Sequence, residues 1–328
     1  MRAVICGGSW PPLSFSSADI ESMLTSIKYN TCNMPELPEV ETVKRGLDRL
    51  LPGKLIIAEK HDWPKGFPNT EADVSEFLIG SQIQSVQRRG KALVINLNTG
   101  YSLLIHLKMT GQLVFVPNKS DSAEGRFGAG HPNDSLIKKL PDKSTRVTLS
   151  FKDGSHLYFN DQRKFGWMKL LPVHAIEEEP FIKKLGPEPL DGDFTHKKFI
   201  QRLKKRPNTN IKAALLDQTV LAGVGNIYAD ESLWSAGVHP TRVVKTIPDK
   251  ELQRLHKELI DVLRLSIDKG GSTDRSYVDA EGQKGSYLKF AKVFRREGQL
   301  CVECDNTILK TRVAGRGTHT CSVCQPTS

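Results

Sequence analysis

The amino-acid sequence predicts an α+β protein: an antiparallel β-sandwich or barrel with one helix before it, then a helical domain, then a small cysteine-bearing hairpin. Three observations carry this prediction. Short aliphatic runs separated by turn residues fill the stretch from Leu55 to Asn160, apolar spacing changes to threes and fours beyond Pro172, and four of the six cysteines cluster between positions 301 and 324.

Residues 1–33 mix Ser, Gly and Pro with few periodic apolar positions, and read as a disordered leader or the product of an upstream start codon. They lack a basic start followed by a continuous apolar core, and Asp19 and Glu21 argue against an Arg-rich transit peptide. From Met34 the character changes. Pro38 suits a first helical turn, and Val40, Val43, Leu47 and Leu50 recur at spacings of three and four, predicting an amphipathic helix that stops near Pro52-Gly53. Strands are predicted over 55–58, 83–86, 92–97, 102–107 and 113–116, and then over 146–151 and 156–160. The last two flank Lys152-Asp153-Gly154-Ser155, where Asp-Gly supplies hairpin turn angles at little steric cost. The polar stretch 117–141 is too long for an ordinary hairpin and reads as a mobile loop. After a Pro-rich link at 185–190, helices are predicted over 195–203, 210–215, 226–235 and 248–268, suggesting a helix-turn-helix type core.

Bulk properties narrow the partner. Lys and Arg total 47 against 37 Asp and Glu, a net charge of +10, so the surface field favours a polyanion, although many basic proteins bind no nucleic acid. No apolar run approaches the roughly eighteen residues of a membrane span, which excludes a membrane partner of that kind.

The tail reads Cys301-x2-Cys304, sixteen residues, Cys321-x2-Cys324. That spacing fits four thiolates on one tetrahedral Zn²⁺, with a pair of disulfides as the alternative. A closed four-thiolate site leaves no open coordination position, so the zinc would be structural. Between the pairs, Arg316 sits between Gly315 and Gly317; it reads equally as a phosphate contact or as a solvated charge.

The head reads Met34-Pro35-Glu36-Leu37-Pro38-Glu39-Val40-Glu41-Thr42. If Pro35 is the first residue, it carries a secondary amine with a pKa of about 8, partly neutral at pH 7. Such an amine can attack a sugar C1′ to form an iminium, with Glu36 or Glu39 protonating the opening ring. Taken alone, PELPE also reads as an ordinary acidic helix cap.

These parts converge. MPELPEVETVKRGL at 34–47, RRGKALVINL at 88–97, IHLKMTGQL at 105–113, DQRKFG at 161–166, GVGNIYADESLWSAGVHP at 223–240 and the cysteine ribbon through Gln325 together resemble, in order, the bacterial formamidopyrimidine-DNA glycosylases. The resemblance implies Pro35 as nucleophile, Glu36 as general acid and Glu39 as support for the N-terminus. It implies Lys91 on the phosphate beside the lesion, although alone this residue reads as a strand-edge lysine. Met109, Arg163 and Phe165 would fill the gap left by an extruded nucleotide, with Arg163 on the orphaned cytosine; alone, Met109 and Phe165 read as core. Asn226, at a helix start, Lys212 and Arg316 would contact phosphates. The segment 270–287 resembles the loop that closes over an extruded base.

The implied organisation is a leader at 1–33, a catalytic β-sandwich at 34–172, a hinge or linker at 173–190, a helix-two-turn-helix DNA-binding domain at 191–296 and a zinc finger at 297–328. The implied activity is excision of 8-oxoguanine and formamidopyrimidines from double-stranded DNA, then β,δ-elimination, by a monomer of the bacterial cytosol or nucleoid. A sister group preferring oxidised pyrimidines, and a non-catalytic zinc-stabilised DNA-binding protein, are the alternatives. Two departures stand out: the 33-residue leader would acylate the Pro35 nitrogen unless Met34 is the true start or the leader is cut off, and the 117–141 loop is long, with Lys108 where the family often has Gly.

Overall fold

The computed structural model describes residues 34–118, 126–131, 134–136, 138–272 and 286–327. The expectations for the leader 1–33, for most of the closing loop and for part of the 117–141 stretch lie outside these residues. By its contacts the chain divides after Asn33, and everything below concerns the unit from Met34 onward.

Helix α1 (Leu37–Leu50) buries Val40, Val43 and Leu47 while its opposite face stays partly exposed, as its spacing predicts. Each such aliphatic side chain contributes roughly 1.5–3 kcal/mol when removed from water. Gly46 lets the helix approach the sheet, since a Cβ there would overlap the Phe127 ring.

The strands are β1 (Ile56–His61), β2 (Ile83–Arg89), β3 (Ala92–Leu97), β4 (Tyr101–His106), β5 (Gly111–Val116), β6 (Phe127–Gly130), β7 (Thr145–Phe151), β8 (His156–Asp161) and β9 (Trp167–Pro172). They form two antiparallel sheets, β1-β7-β8-β5-β6 and β2-β3-β4-β9. Both sheets contribute to one apolar core: Ile83, Leu93, Ile95 and Met168 from one, Leu113, Val147, Leu149 and Phe159 from the other. Strand β3 is buried on its second face as well, where Ala92 and Val94 meet Leu104, Ile176 and Ile182. That double burial explains why its sequence is a continuous apolar run rather than an alternation. It also docks the linker, through Ile176 and Ile182, on the sheet. The 152–155 turn closes as expected, with Gly154 at φ +81 and its amide donating to the Phe151 carbonyl.

Two sheet elements depart from expectation. Part of the presumed mobile loop is β6, paired along β5, with Phe127 and Ala129 fully buried in the core. Its glycines, Gly128 and Gly130, obscure an alternation that the β5 edge completes. Strand β9, pairing with β4, also lies outside the predicted strands.

Helices α2 (His196–Lys204), α3 (Ile211–Leu216), α4 (Asn226–Ser235) and α5 (Asp249–Asp268) surround a second core of Phe199, Leu215, Ile227, Leu233, Leu255 and Leu259, among others. Thr195 and Asn210 cap α2 and α3 by accepting from the Lys198 and Ala213 amides. Helix α4 is buried on all sides from Ile227 to Trp234, which is why it shows no polar face. The hairpin β10 (Leu309–Val313) and β11 (Arg316–Thr320) turns at Ala314-Gly315, both at positive φ, and the ribbon rests on Trp234 and Val293. Among the described residues, no helix is long and apolar enough to cross a membrane.

Candidate nucleic-acid and catalytic site

The head of the chain docks on the Gly223-Val224-Gly225 turn that opens α4. The Leu37 amide donates to the Gly223 carbonyl at 3.0 Å, and the Lys91 ammonium donates to the Val224 carbonyl at 3.1 Å. Gly223 has φ +82, and a Cβ there would crowd Leu37; a Cβ on Gly225 would overlap the Glu36 carboxyl. The glycines therefore permit contact between backbone and head as well as a turn.

Pro35 is buried beside Glu36. Glu36 Oε1 accepts from the Ile227 amide at 3.1 Å, so the start of α4 receives this carboxyl next to Asn226. Burial is the main reason the Glu36 pKa rises to about 7. Lys91 and the α4 amides oppose the rise, and the Glu39 carboxylate adds to it. Among the described residues, Glu36 Oε2 is buried without a hydrogen-bond partner. A half-protonated carboxyl with one unengaged oxygen is suited to general acid catalysis.

Glu39 is held from four directions. Its Oε2 accepts from the Glu36 amide at 3.0 Å, and its Oε1 accepts from the Tyr228 hydroxyl at 2.5 Å and from the Ser272 amide and hydroxyl at 2.8 Å each. Burial and the neighbouring carboxylates drive the Tyr228 phenol far above its usual range, so it remains a donor. Lys91 is buried, and desolvation lowers its pKa while Glu36 and Glu39 hold it up.

The acid chemistry yields a direct expectation. In a protein beginning at Pro35, the step needing the Glu36 proton should lose up to tenfold in rate per pH unit on the alkaline side. Glu36 is the acid below about pH 7 and a carboxylate above it, although deprotonation of the amine offsets the loss up to about pH 8. Glu36→Gln should lower the rate by about 10²–10⁴ and remove the alkaline descent. Single-turnover rates between pH 5.5 and 9 check this, and an unaltered descent in the variant would exclude Glu36 as the acid.

Met109, Arg163 and Phe165 come together. Arg163 Nη1 lies 3.3 Å from the Met109 sulfur, the guanidinium lies 4.9 Å from the Phe165 ring centroid, and Phe165 is 52% exposed. These side chains project from two turns, each carrying a non-glycine residue in the left-handed region, Lys108 at φ 52 and Lys164 at φ 56. Lys108 thus adopts the backbone that would favour glycine at its position. His106, unremarked in the sequence, anchors the first turn: its Nδ1 accepts from the Lys108 amide, and burial with neighbouring lysines lowers its pKa to about 3, leaving it neutral with a proton on Nε2.

The expectation for Lys212 needs correction. It is fully buried; its ammonium forms an ion pair with Asp230 at 2.6 Å and donates to the Thr318 hydroxyl at 2.7 Å and the Gly317 carbonyl at 3.0 Å. An ion pair with a buried carboxylate and two hydrogen bonds to the ribbon hold the ammonium inside the protein, so Lys212 fastens the ribbon tip rather than meeting a phosphate. Asn226 Nδ2 donates to the same Gly317 carbonyl at 3.0 Å, tying the tip to α4. Arg316 is exposed at that tip, close enough for its charge to lower the pKa of both Lys91 and Lys212.

Cys301, Cys304, Cys321 and Cys324 bring their sulfurs within 4.8 Å of one another, with individual separations of 3.3, 3.5 and 3.8 Å. Tetrahedral Zn–S bonds of about 2.3 Å require sulfurs roughly 3.8 Å apart. The four thiolates fit one structural zinc. Gln325 closes the knot, accepting from the Cys321 amide and donating to the Val238 carbonyl.

Comparison with known proteins gives concordant matches. The profile of the formamidopyrimidine-DNA glycosylase N-terminal domain matches residues 34–168, that of the H2TH domain of the same enzymes matches 185–277, and that of a zinc finger found in FPG and IleRS matches 298–327. Formamidopyrimidine-DNA glycosylase of Pelotomaculum thermopropionicum is 39% identical over 293 residues, covering 89% of this chain and 99% of the relative. That of Halalkalibacterium halodurans is 40% identical over 295 residues, covering 89% and 100%. Among solved structures, a point mutant of Lactococcus lactis FPG bound to Fapy-dG-containing DNA superposes with a TM-score of 0.76 at 34% identity, covering 89% of this chain and 100% of that one. The Lactococcus lactis Fpg complex with abasic-site DNA gives 0.76 at 33%, covering 89% and 99%.

Proposed function

Because this chain belongs to the formamidopyrimidine-DNA glycosylase family, we propose that it excises oxidised purines, 8-oxoguanine and formamidopyrimidines, from double-stranded DNA and then cleaves the strand at the resulting abasic site. The observation that carries this reading is the Glu36 carboxyl, with a pKa near 7 and one unengaged buried oxygen, placed next to Pro35.

In the proposed reaction the neutral Pro35 amine attacks C1′ of the damaged nucleotide. The glycosidic bond breaks, and the base leaves with a proton. Glu36 protonates the ring oxygen as the sugar opens to an iminium. Loss of a C2′ proton expels the 3′-phosphate, and a second elimination expels the 5′-phosphate. Lys91 and Arg316 supply positive charge beside the phosphates of the lesion strand, Asn226 contacts a phosphate as well as ordering the ribbon tip, and Glu39 fixes the head. Met109, Arg163 and Phe165 occupy the gap in the duplex. The zinc, when bound, supplies no chemistry and holds the ribbon. The Lactococcus lactis proteins were solved in complex with formamidopyrimidine and abasic-site DNA, which supports DNA as the partner here. A monomer acting in the bacterial cytosol or nucleoid accords with this reading.

The substrate class is tested by single-turnover excision from matched duplexes containing 8-oxoguanine opposite cytosine or an oxidised pyrimidine, using protein that begins at Pro35. Preference for the purine by at least about tenfold, roughly 1.4 kcal/mol in the barrier, is expected. Preference for the pyrimidine would move the chain's activity to that of the sister group.

A further inference from the structure

We infer that Asp161 is the positioning residue that makes Met109, Arg163 and Phe165 act as one unit, and so determines discrimination of the base opposite the lesion. This rests on the proposed function for its substrate and on the structure for its geometry.

Asp161 ends β8 and is 1% exposed. Its Oδ2 accepts from the Phe165 amide at 2.8 Å and the Gly166 amide at 2.7 Å, while its Oδ1 accepts from the Arg163 amide at 3.1 Å. The Thr110 hydroxyl also donates to Oδ1 and accepts from the Arg163 amide at 3.1 Å. One carboxylate thus binds two separate turns. Thr110 adjoins Met109 in the first turn; the three amides form a concave nest in the second, which presents Arg163 and Phe165.

The need for such a clamp follows from the exposure of what it holds. Phe165 is half-exposed, and Arg163 touches Met109 and Phe165 through a sulfur contact and a cation-π contact. Those contacts are too weak to fix a geometry. The left-handed backbones at Lys108 and Lys164 also cost energy that surrounding bonds must offset. Both turns lean on the Asp161 carboxylate. Gly166 is bounded by the same group, because a Cβ there would lie 3.2 Å from Asp161 Oδ2 and closer still to the Phe159 ring. The placement of Arg163 relative to Met109, on which reading of an unpaired base would depend, therefore runs through Asp161.

Asp161→Asn keeps the shape but points an amide N–H₂ at backbone N–H groups. In protein beginning at Pro35, excision opposite cytosine should fall at least tenfold, and the preference for cytosine over adenine opposite 8-oxoguanine should shrink at least tenfold. A purely structural loss would lower both substrates by one factor, and that result would overturn the proposal. Thr110→Val, which removes one link, should narrow the preference partially, and Thr110→Ser should restore it; equal behaviour of the two would also overturn it. Independently of catalysis, fluorescence of 2-aminopurine placed beside a tetrahydrofuran abasic analogue should rise on binding of the parent and rise less with Asp161→Asn. A parent that raises this fluorescence without excising 8-oxoguanine would count against the proposed function alone, and an equal rise with the variant would count against the clamp.

Discussion

Borohydride is expected to trap a covalent complex between protein beginning at Pro35 and a duplex carrying 8-oxoguanine opposite cytosine, and to trap none with protein in which Met34 remains attached. The reason is the electronic state of one nitrogen. In a peptide bond its lone pair is delocalised into the carbonyl and cannot attack C1′; as a terminal secondary amine with a pKa of about 8 it is nucleophilic at neutral pH. Loss of the nucleophile should lower trapping by at least about 10³-fold. The surrounding geometry should change little, because the Leu37 amide, the Glu36 carboxyl and Glu39 already anchor the head to Gly223, Ile227 and Tyr228. Duplex affinity should therefore be similar in both forms, separating chemistry from binding. Gel-resolved trapping of the two forms on one duplex decides it, and equal trapping would show that another amine, such as a lysine, forms the iminium.

The second large effect concerns the metal. Chelation of zinc, or Cys304→Ser, should abolish tight duplex binding and lower the thermal midpoint. Four clustered thiols without the ion lose a contribution that in zinc-finger peptides reaches about 10–16 kcal/mol, and the ribbon buries only a small apolar cluster of Trp234, Val293, Ile308 and two cysteine side chains. The damage should extend beyond the ribbon, because its tip returns to Lys212 and Asn226 through the Gly317 carbonyl, and the His319 amide donates to Asp230. Release of the tip leaves the Lys212–Asp230 pair, buried at 0% exposure on both sides, without part of its hydrogen bonding. Zinc content, fluorescence anisotropy with a labelled duplex and calorimetry measure the three consequences. Full affinity in a zinc-free protein would mean that the ribbon takes no part in binding.

The elements that sequence patterning identifies are those whose cause is local. Asn226–Ser235 and Ala92–Leu97 are predicted with their observed bounds because a Gly-containing turn precedes each, and Ala92–Leu97 is apolar at every position but Asn96. Asn210 and Thr195 mark helix starts because a capping side chain bonds its own next turn. Strand β6 escapes such patterning because Phe127-Gly128-Ala129-Gly130 has no intrinsic strand preference, and the exposed edge of β5 makes it one. The role of Lys212 escapes it because its partners, Asp230 and Thr318, lie far along the chain. Met109 and Phe165 have the composition of core residues, and their placement depends on turns fixed by Asp161.

The groups proposed to react, and those that fit the metal, are local too: a proline beside a glutamate is adjacent by covalent bonding, and two Cys-x2-Cys pairs present thiolates at spacings the chain itself imposes. The protonation of Glu36 is not local. Its shift toward 7 arises from water excluded by α4 and Gly225, and is moderated by a lysine just before β3 and by amides nearly two hundred residues away. Residue types specify which groups can react, because reactivity resides in bonds; their charge state and aim depend on desolvation and long-range contacts, which exist only once the two cores have packed around the head of the chain.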